Sequence, residues 1–273
     1  MEITFKLGSR DLRIETGEPL DISIPLEFNG SQPNSYDADQ ASSKACEIGD
    51  FIGDTRRGGS CNFDELSLIP HCNGTHTECV GHISDERISI HETLIDVLIP
   101  SVLITVTPEN AMSASDSYTP EKKESDLLIT KNSILKALKG ADNHFFEGLI
   151  IRTLPNNDSK RSRRYMEQQP PFFSLEAMEY ISELKVKHLL VDIPSVDRAF
   201  DEGKLSTHHI FWNVRQGCHN VDKANHSMNT ITEMIYVQND VPDGEYMLNL
   251  QIPDFVSDAA PSRPVIFKTL KKN

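Results

Sequence analysis

Basic residues are the first thing this sequence is short of. Its 273 residues carry 27 Lys+Arg against 41 Asp+Glu, a formal net charge of −14. Nucleic-acid binding rests on a basic face that neutralises phosphates, which excludes nucleic acid as the main partner. Long apolar runs are also missing. The most apolar stretch, residues 94–106 (LIDVLIPSVLITV), contains Asp96 and Pro100 and falls short of the roughly 20 residues a membrane-spanning helix needs, so no membrane partner is expected. Cysteine is sparse and odd in number, five in all, which does not suit a disulfide framework. The opening residues (MEITFKLGSRDLRIETG) place charges where a secretory leader needs an apolar run, so reduced thiols and a cytoplasmic location are the expectation. Internal repeats and low-complexity tracts are absent too. What remains is ordinary globular composition, 38% hydrophobic and 25% charged, enough for one mixed α/β domain over residues 1–273.

Strand signals outnumber helix signals. ITFKL and DLRIET flank Gly8-Ser9 as a hairpin, and residues 21–26 (DISIPL) read as a strand closed by Pro25. Residues 29–60, rich in Gly, Ser, Asn and Asp, read as a long loop of the kind that carries function. A strand is expected over residues 92–106, broken at Pro100, and a helix over 133–139 ending at Gly140. Residues 148–153 (GLIIRT) and 187–191 (KHLLV) read as buried strands. Between them, residues 174–184 (SLEAMEYISEL) have helical spacing with Ser174 as N-cap, so the three form a βαβ unit with a parallel strand pair. Residues 233–237, 245–252 and 265–268 alternate as antiparallel strands.

The chemistry concentrates in residues 70–82, PHCNGTHTECVGH. Three of the ten histidines (His71, His76, His82), two of the five cysteines (Cys72, Cys79) and Glu78 fall there. Imidazole, thiolate and carboxylate are the groups that bind zinc and similar divalent ions. His76 and Glu78 share one face if the segment is extended, and Gly74 lets the chain turn tightly before them. Neither a Cys-x-x-Cys nor a His-x-x-x-His pair is present, so a structural zinc knot fits less well than a catalytic site with room for water.

This segment resembles the His-x-Gly-Thr-His-x-Asp-x-Pro-x-His hallmark of the cyclase family of metal-dependent hydrolases, which includes kynurenine formamidases and isatin hydrolases. Gly74-Thr75-His76, the acid Glu78 and His82 fall in its register. DISIPL is similar to the family's early Asp-Ile-Ser strand, and LLVDIPSVD (189–197) to its Asp-x-Pro-Ser-x-Asp segment. HHIFW (208–212) with TEM (232–234) resembles its late His and Glu, and PDGEYML (242–248) the turn and strand after them. The resemblance implies an α/β fold with a single mixed-sheet domain of the swivelling β/β/α type, assembled as a homodimer or homotetramer. It also implies two divalent ions per site, zinc with manganese as the alternative. His76 and either Cys72 or His71 hold the first ion, Glu78 and Glu233 bridge, His208 completes the second, and His82 is the general acid/base.

The departures from the pattern are specific. Cys72 stands where the family has its first histidine, with His71 one residue away, and Glu78 replaces the usual Asp, moving the carboxylate by roughly 1.5 Å. Around residues 32–37 there is no Trp, which separates the chain from the formamidases' aromatic-stacking residue. Of the other candidates, Asp192, Ser195 and Asp197 read as supporting residues, His209 as core, and KRSRR (160–164) as a solvated loop or a contact to an acidic substrate. His219 and His226 are substitutes for His208 only. The implied reaction is hydrolysis of a C–N bond in a small formamide or lactam. Its alternative is a catalytically weak relative that binds metal and a small ligand.

Overall fold

A computed structural model describes residues 1–271. The amino-terminal hairpin forms as alternation predicts. β1 (Glu2–Leu7) pairs antiparallel with β2 (Arg10–Glu15), and Gly8 takes the positive φ (58°) of the turn between them. Of DISIPL only Asp21 is in a strand, β3 (Leu20–Asp21). Beyond it Ile22 donates to Pro264 O and Ile24 to the Thr75 hydroxyl. Pro25 has no N–H to give, so the segment is extended but joins no ladder. The expected long loop is likewise not bare. Its Ser42–Ala45 pairs with Asp64–Ser67 just beyond the loop, and its Glu47–Ile48 with Phe51–Ile52.

After a single helical turn, α1 (Pro70–Asn73), come β4 (His76–Glu78), β5 (Ile99–Val106), α2 (Lys131–Ala137), β6 (Gly148–Thr153), α3 (Leu175–Glu183) and β7 (His188–Val191). The chain then adds α4 (Ser206–Phe211), β8 (Thr230–Glu233), β9 (Gly244–Asn249), β10 (Ala259–Pro261) and β11 (Val265–Lys271). These strands build one eleven-stranded sheet in the order β1-β2-β11-β9-β5-β6-β7-β8-β4-β10, with β3 on β11. Its centre, β5 to β8, is parallel, and both flanks are antiparallel. An α/β fold with a mixed sheet is what the βαβ reading called for, and Ser174 caps α3 by accepting from Ala177 N at 3.0 Å.

Two boundaries differ from expectation. Pro100 lies inside β5 rather than breaking it, one residue from the strand's start, where a missing donor costs little. The strand read over 233–237 ends at Glu233 and runs parallel to β7, because Met234 takes a left-handed backbone (φ 52°) that turns the chain across the end of β7.

Central strands are apolar on both faces because both are covered. Leu149 and Ile151 of β6 pack with Ile134 of α2 and with Ala177, Met178 and Ile181 of α3. Ile150, between them, points the other way into a layer with Leu190, Ile99 and Leu248. This double burial leaves the carboxyl ends of β6 to β8 as the place where polar side chains gather.

Candidate metal centre

The site starts from a strand register. β4 lies antiparallel to β8 with His76 opposite Glu233 and Glu78 opposite Ile231. Opposed residues share a face, and so do residues two apart, so His76, Glu78 and Glu233 point together, as the spacing of the first two predicts. Thr77 and Thr232 take the other face and share a hydrogen bond of 2.8 Å. His76 Nδ1 faces Gly74 O at 3.0 Å, which leaves Nε2 as the free nitrogen, 3.5 Å from Glu233 Oε2. Glu233 is steadied by Val196 N, which donates to Oε1 at 3.0 Å.

His208 arrives from α4, a short helix. Asp197 holds that helix start: it accepts from Thr207 N (2.9 Å) and His208 N (3.1 Å), and it faces His208 Nδ1 at 2.6 Å. Tyr118 donates to its other oxygen at 2.7 Å. His208 Nε2 is thereby aimed at Glu78 Oε1, 3.0 Å away. Burial opposes charge on His208, but its bonds to Asp197 and Glu78 outweigh that and raise its pKa well above the ordinary value. Burial likewise opposes charge on Glu78, and His82, His208 and His71 outweigh it, holding the carboxyl well below its usual range.

α1 turns His71 and Cys72 in different directions. Successive helical residues point about 100° apart, so only one of two neighbours can face the centre, and it is His71. Its Nδ1 lies 3.2 Å from Glu78 Oε2 and its Nε2 2.9 Å from Asp258 Oδ2. Burial lowers the His71 pKa, but Asp258 and Glu78 bring it up to about 10. Cys72, offered as the alternative ligand, joins none of the convergent ligand groups among the described residues, and burial and the Glu233 charge push its thiol up. His82 sits at the rim, partly exposed, with Nδ1 3.7 Å from Glu78 Oε2 and 3.5 Å from Asp258 Oδ2.

His71, His76 and Glu78 bring ligand atoms within 4.8 Å of one another, and so do Glu78, His82 and His208. Glu78 belongs to both groups. His76 Nε2 and Glu78 Oε2 are buried without a hydrogen-bond partner. Orphaned buried polar atoms are costly and rare, and a donor set of imidazole nitrogens and carboxylate oxygens is what a divalent cation takes up. The residues fit such an ion.

Two contributors escaped the sequence. Asp258 precedes β10 and carries no local motif, and only the pairing of β10 with β4 brings it here. Tyr36 lies in the loop singled out as functional. It is 45% exposed overall, yet burial of its phenol and the charge of Glu233 raise its pKa, and its hydroxyl faces Ser195. Its backbone and that of Asp37 are left-handed (φ 58° and 50°), inside a turn closed by Asn34 Nδ2, which donates to Ala38 O at 2.8 Å. The remaining histidines stand apart. His209 faces His219, His226 meets Lys223 O, and His188 is buried at the opposite end of the sheet. In the basic run, Lys160 is buried against Asp192 at 2.7 Å.

A model of the family described as "Putative cyclase" matches residues 20–198. The chain is 25% identical over 260 residues to a kynurenine formamidase of Bacillus thuringiensis (strain Al Hakam), covering 93% of this chain and 99% of that protein. Among solved structures, an isatin hydrolase bound to the product analogue thioisatinate superposes with a TM-score of 0.58 at 15% identity, covering 93% of each chain. A potential metal-dependent hydrolase with cyclase activity gives 0.57 at 17% identity, over 92% of this chain and 98% of that one. These likenesses extend to the fold what the family match places in sequence. His208, Glu233 and Asp258 lie beyond the matched residues.

Proposed function

The chain belongs to the putative cyclase family, and on that premise we propose that it is a metal-dependent hydrolase cleaving the C–N amide bond of a small formamide or lactam. One observation carries the reading. His76, Glu78, His208 and Glu233, drawn from β4, α4 and β8, converge on a buried point where His76 Nε2 and Glu78 Oε2 have no partner. The likeness to kynurenine formamidases over nearly the whole chain supports the substrate class.

His71, His76 and Glu78 would hold one divalent ion, and Glu78, with His208 and Glu233, a second. When bound, such ions supply Lewis acidity, which acidifies water and polarises a scissile carbonyl. Zinc suits the imidazole-rich set, with manganese the alternative for its carboxylates. His82, partly exposed at the rim, takes a proton from the attacking water and returns it to the leaving nitrogen, a role typically worth about 10² to 10⁴ in rate. Asp197 and Gly74 O keep His208 and His76 in one tautomer and orientation. The double burial of β6 to β8 fixes the sheet against which β4 is registered, so Glu233, His76 and Glu78 sit on rigid strands, and the loop around Tyr36 lies beside them. The working unit is the whole chain, residues 1–273, assembled as a homodimer or homotetramer, which sedimentation of the purified protein tests.

Elemental analysis of wild-type protein and His76→Ala, together with hydrolysis of a formamide and lactam panel, tests the reading. The variant is expected to lose metal while staying folded. Full metal and activity in His76→Ala would overturn it. A fully metallated wild type inert to every compound would leave a metal-containing small-ligand-binding protein instead.

A further inference from the structure

His71 faces a different carboxylate with each ring nitrogen. Nε2 meets Asp258 Oδ2 at 2.9 Å with hydrogen-bond geometry. Nδ1 lies 3.2 Å from Glu78 Oε2, an oxygen that makes no hydrogen bond. A carboxylate only accepts, so Asp258 keeps a proton on Nε2, and Nδ1 is the nitrogen left to give up its proton and take an ion at the centre. The other two imidazoles obey the same rule. His76 has Gly74 O on Nδ1 and a free Nε2, and His208 has Asp197 on Nδ1 and Nε2 aimed at Glu78. Each imidazole facing the ion position is fixed from behind by an acceptor.

Asp258 is itself well held. Cys79 N donates to its carbonyl at 3.0 Å and Ser257 Oγ to its Oδ1 at 3.2 Å. The next residue, Ala259, is the register partner of Glu78, so the strand that carries the shared acid also places the acceptor for His71. Cys72, one position along α1, has no such arrangement and stands outside every convergent group among the described residues.

We infer that Asp258 is the positioning residue that makes His71, through Nδ1, the metal ligand standing in for the histidine absent at position 72. This rests on reading the cluster as a metal centre. His82 Nδ1 also lies 3.5 Å from Asp258 Oδ2, so activity alone would not isolate the effect on His71, and the test reads metal binding.

Zinc affinity is measured by chelator competition on metal-free wild type, H71A, C72A, D258A and D258N, each checked for folding by circular dichroism. D258A is expected to lose 10- to 100-fold for one ion, the range for removing the group behind a ligating histidine, and H71A, which removes the ligand itself, at least as much. D258N, which keeps an acceptor oxygen without charge, falls between, and C72A stays within about twofold of wild type, there being no thiolate ligand to lose. Imidazole ¹⁵N spectra of the zinc-loaded wild type are expected to show His71 bound through Nδ1 and protonated at Nε2, a readout that stands if D258A fails to fold. Wild-type affinity in folded D258A, or a sulfur ligand in the zinc absorption edge with metal loss in C72A, would overturn the inference. Metal loss in His76→Ala alongside an unaffected D258A defeats this inference alone, whereas metal retained in His76→Ala defeats the metal centre itself.

Discussion

Asp197 Oδ2 lies 2.6 Å from His208 Nδ1, and the same carboxylate accepts the backbone N–H groups of Thr207 and His208 and the hydroxyl of Tyr118. One buried side chain therefore starts α4, orients an imidazole and ties both to the loop around Tyr118. Asp197→Asn, which turns one acceptor oxygen into a donor, is expected to weaken metal binding 10- to 100-fold. Tyr118→Phe removes a donor to Asp197 and the acceptor of Arg198 N (2.9 Å) but leaves the imidazole contact, so its cost is expected mainly in stability, about 1–3 kcal/mol. Chelator competition and urea denaturation of the two variants check both. Equal losses of affinity would show that Tyr118 orients His208 as strongly as Asp197 does.

The opposite end of the sheet sets an acid limit on stability. His188 on β7 is fully buried, facing Thr230 Oγ1 at 2.9 Å and Asp96 Oδ2 at 3.1 Å, with Lys187 also bonded to Asp96. Burial lowers its pKa to about 4, only partly offset by Asp96. The folded state therefore keeps His188 neutral where the unfolded chain, with an ordinary value of about 6.5, takes up a proton. The contribution is complete above pH 6.5 and is lost as pH falls toward 4, on the order of 3 kcal/mol. Denaturation midpoints of wild type and His188→Gln between pH 7 and 4 test this. The variant is expected to be less stable at pH 7 and to show a shallower fall, and parallel curves would refute the assignment.

Lys160 looked like part of a solvated basic run, yet its ammonium is buried against Asp192 (2.7 Å), Thr153 O (2.7 Å) and Thr153 Oγ1 (2.9 Å). Lys160→Met would leave Asp192 buried without its counter-charge, with only Thr153 N and Oγ1 to satisfy it. A loss of about 3–5 kcal/mol is expected. Urea denaturation at neutral pH reads it, and a loss below about 1 kcal/mol would mean that water reaches Asp192 once the ammonium is gone.

What was legible in the sequence is what depends on neighbours along the chain. Period-two spacing put His76 and Glu78 on one face, and Ser174 announced α3, because both are set within a few residues. Spacing was silent about where a strand loses its partner. Glu233 ends β8 because Met234 turns left-handed, and alternation ran on to Val237 regardless. The choice of His71 over Cys72 hung on one helical turn, since about 100° separates adjacent residues there and none of the flanking residues announces it. Asp258 meets His71 across 187 residues of chain, through a strand pairing that no local pattern encodes.

Glu78 departs from the family's aspartate, and the geometry makes that departure testable. Its Oε1 reaches His208 Nε2 at 3.0 Å and its Oε2 reaches His71 Nδ1 at 3.2 Å. β4 is paired on both sides, through Ile231 and Ala259, and cannot shift to follow a shorter side chain. Glu78→Asp withdraws the carboxylate by roughly 1.5 Å, which breaks the His208 contact and leaves the buried Nε2 of that ring unpaired. Metal affinity is therefore expected to fall at least about tenfold, the lower end of what even an outer group costs, although the substitution restores the family residue. A double-mutant cycle over H71A and E78D, read as zinc affinity, is expected to show coupling because the two side chains meet at 3.2 Å and serve one ion. Strict additivity would mean that Glu78 and the first imidazole bind independently, and the shared-ligand geometry would then not describe the loaded protein.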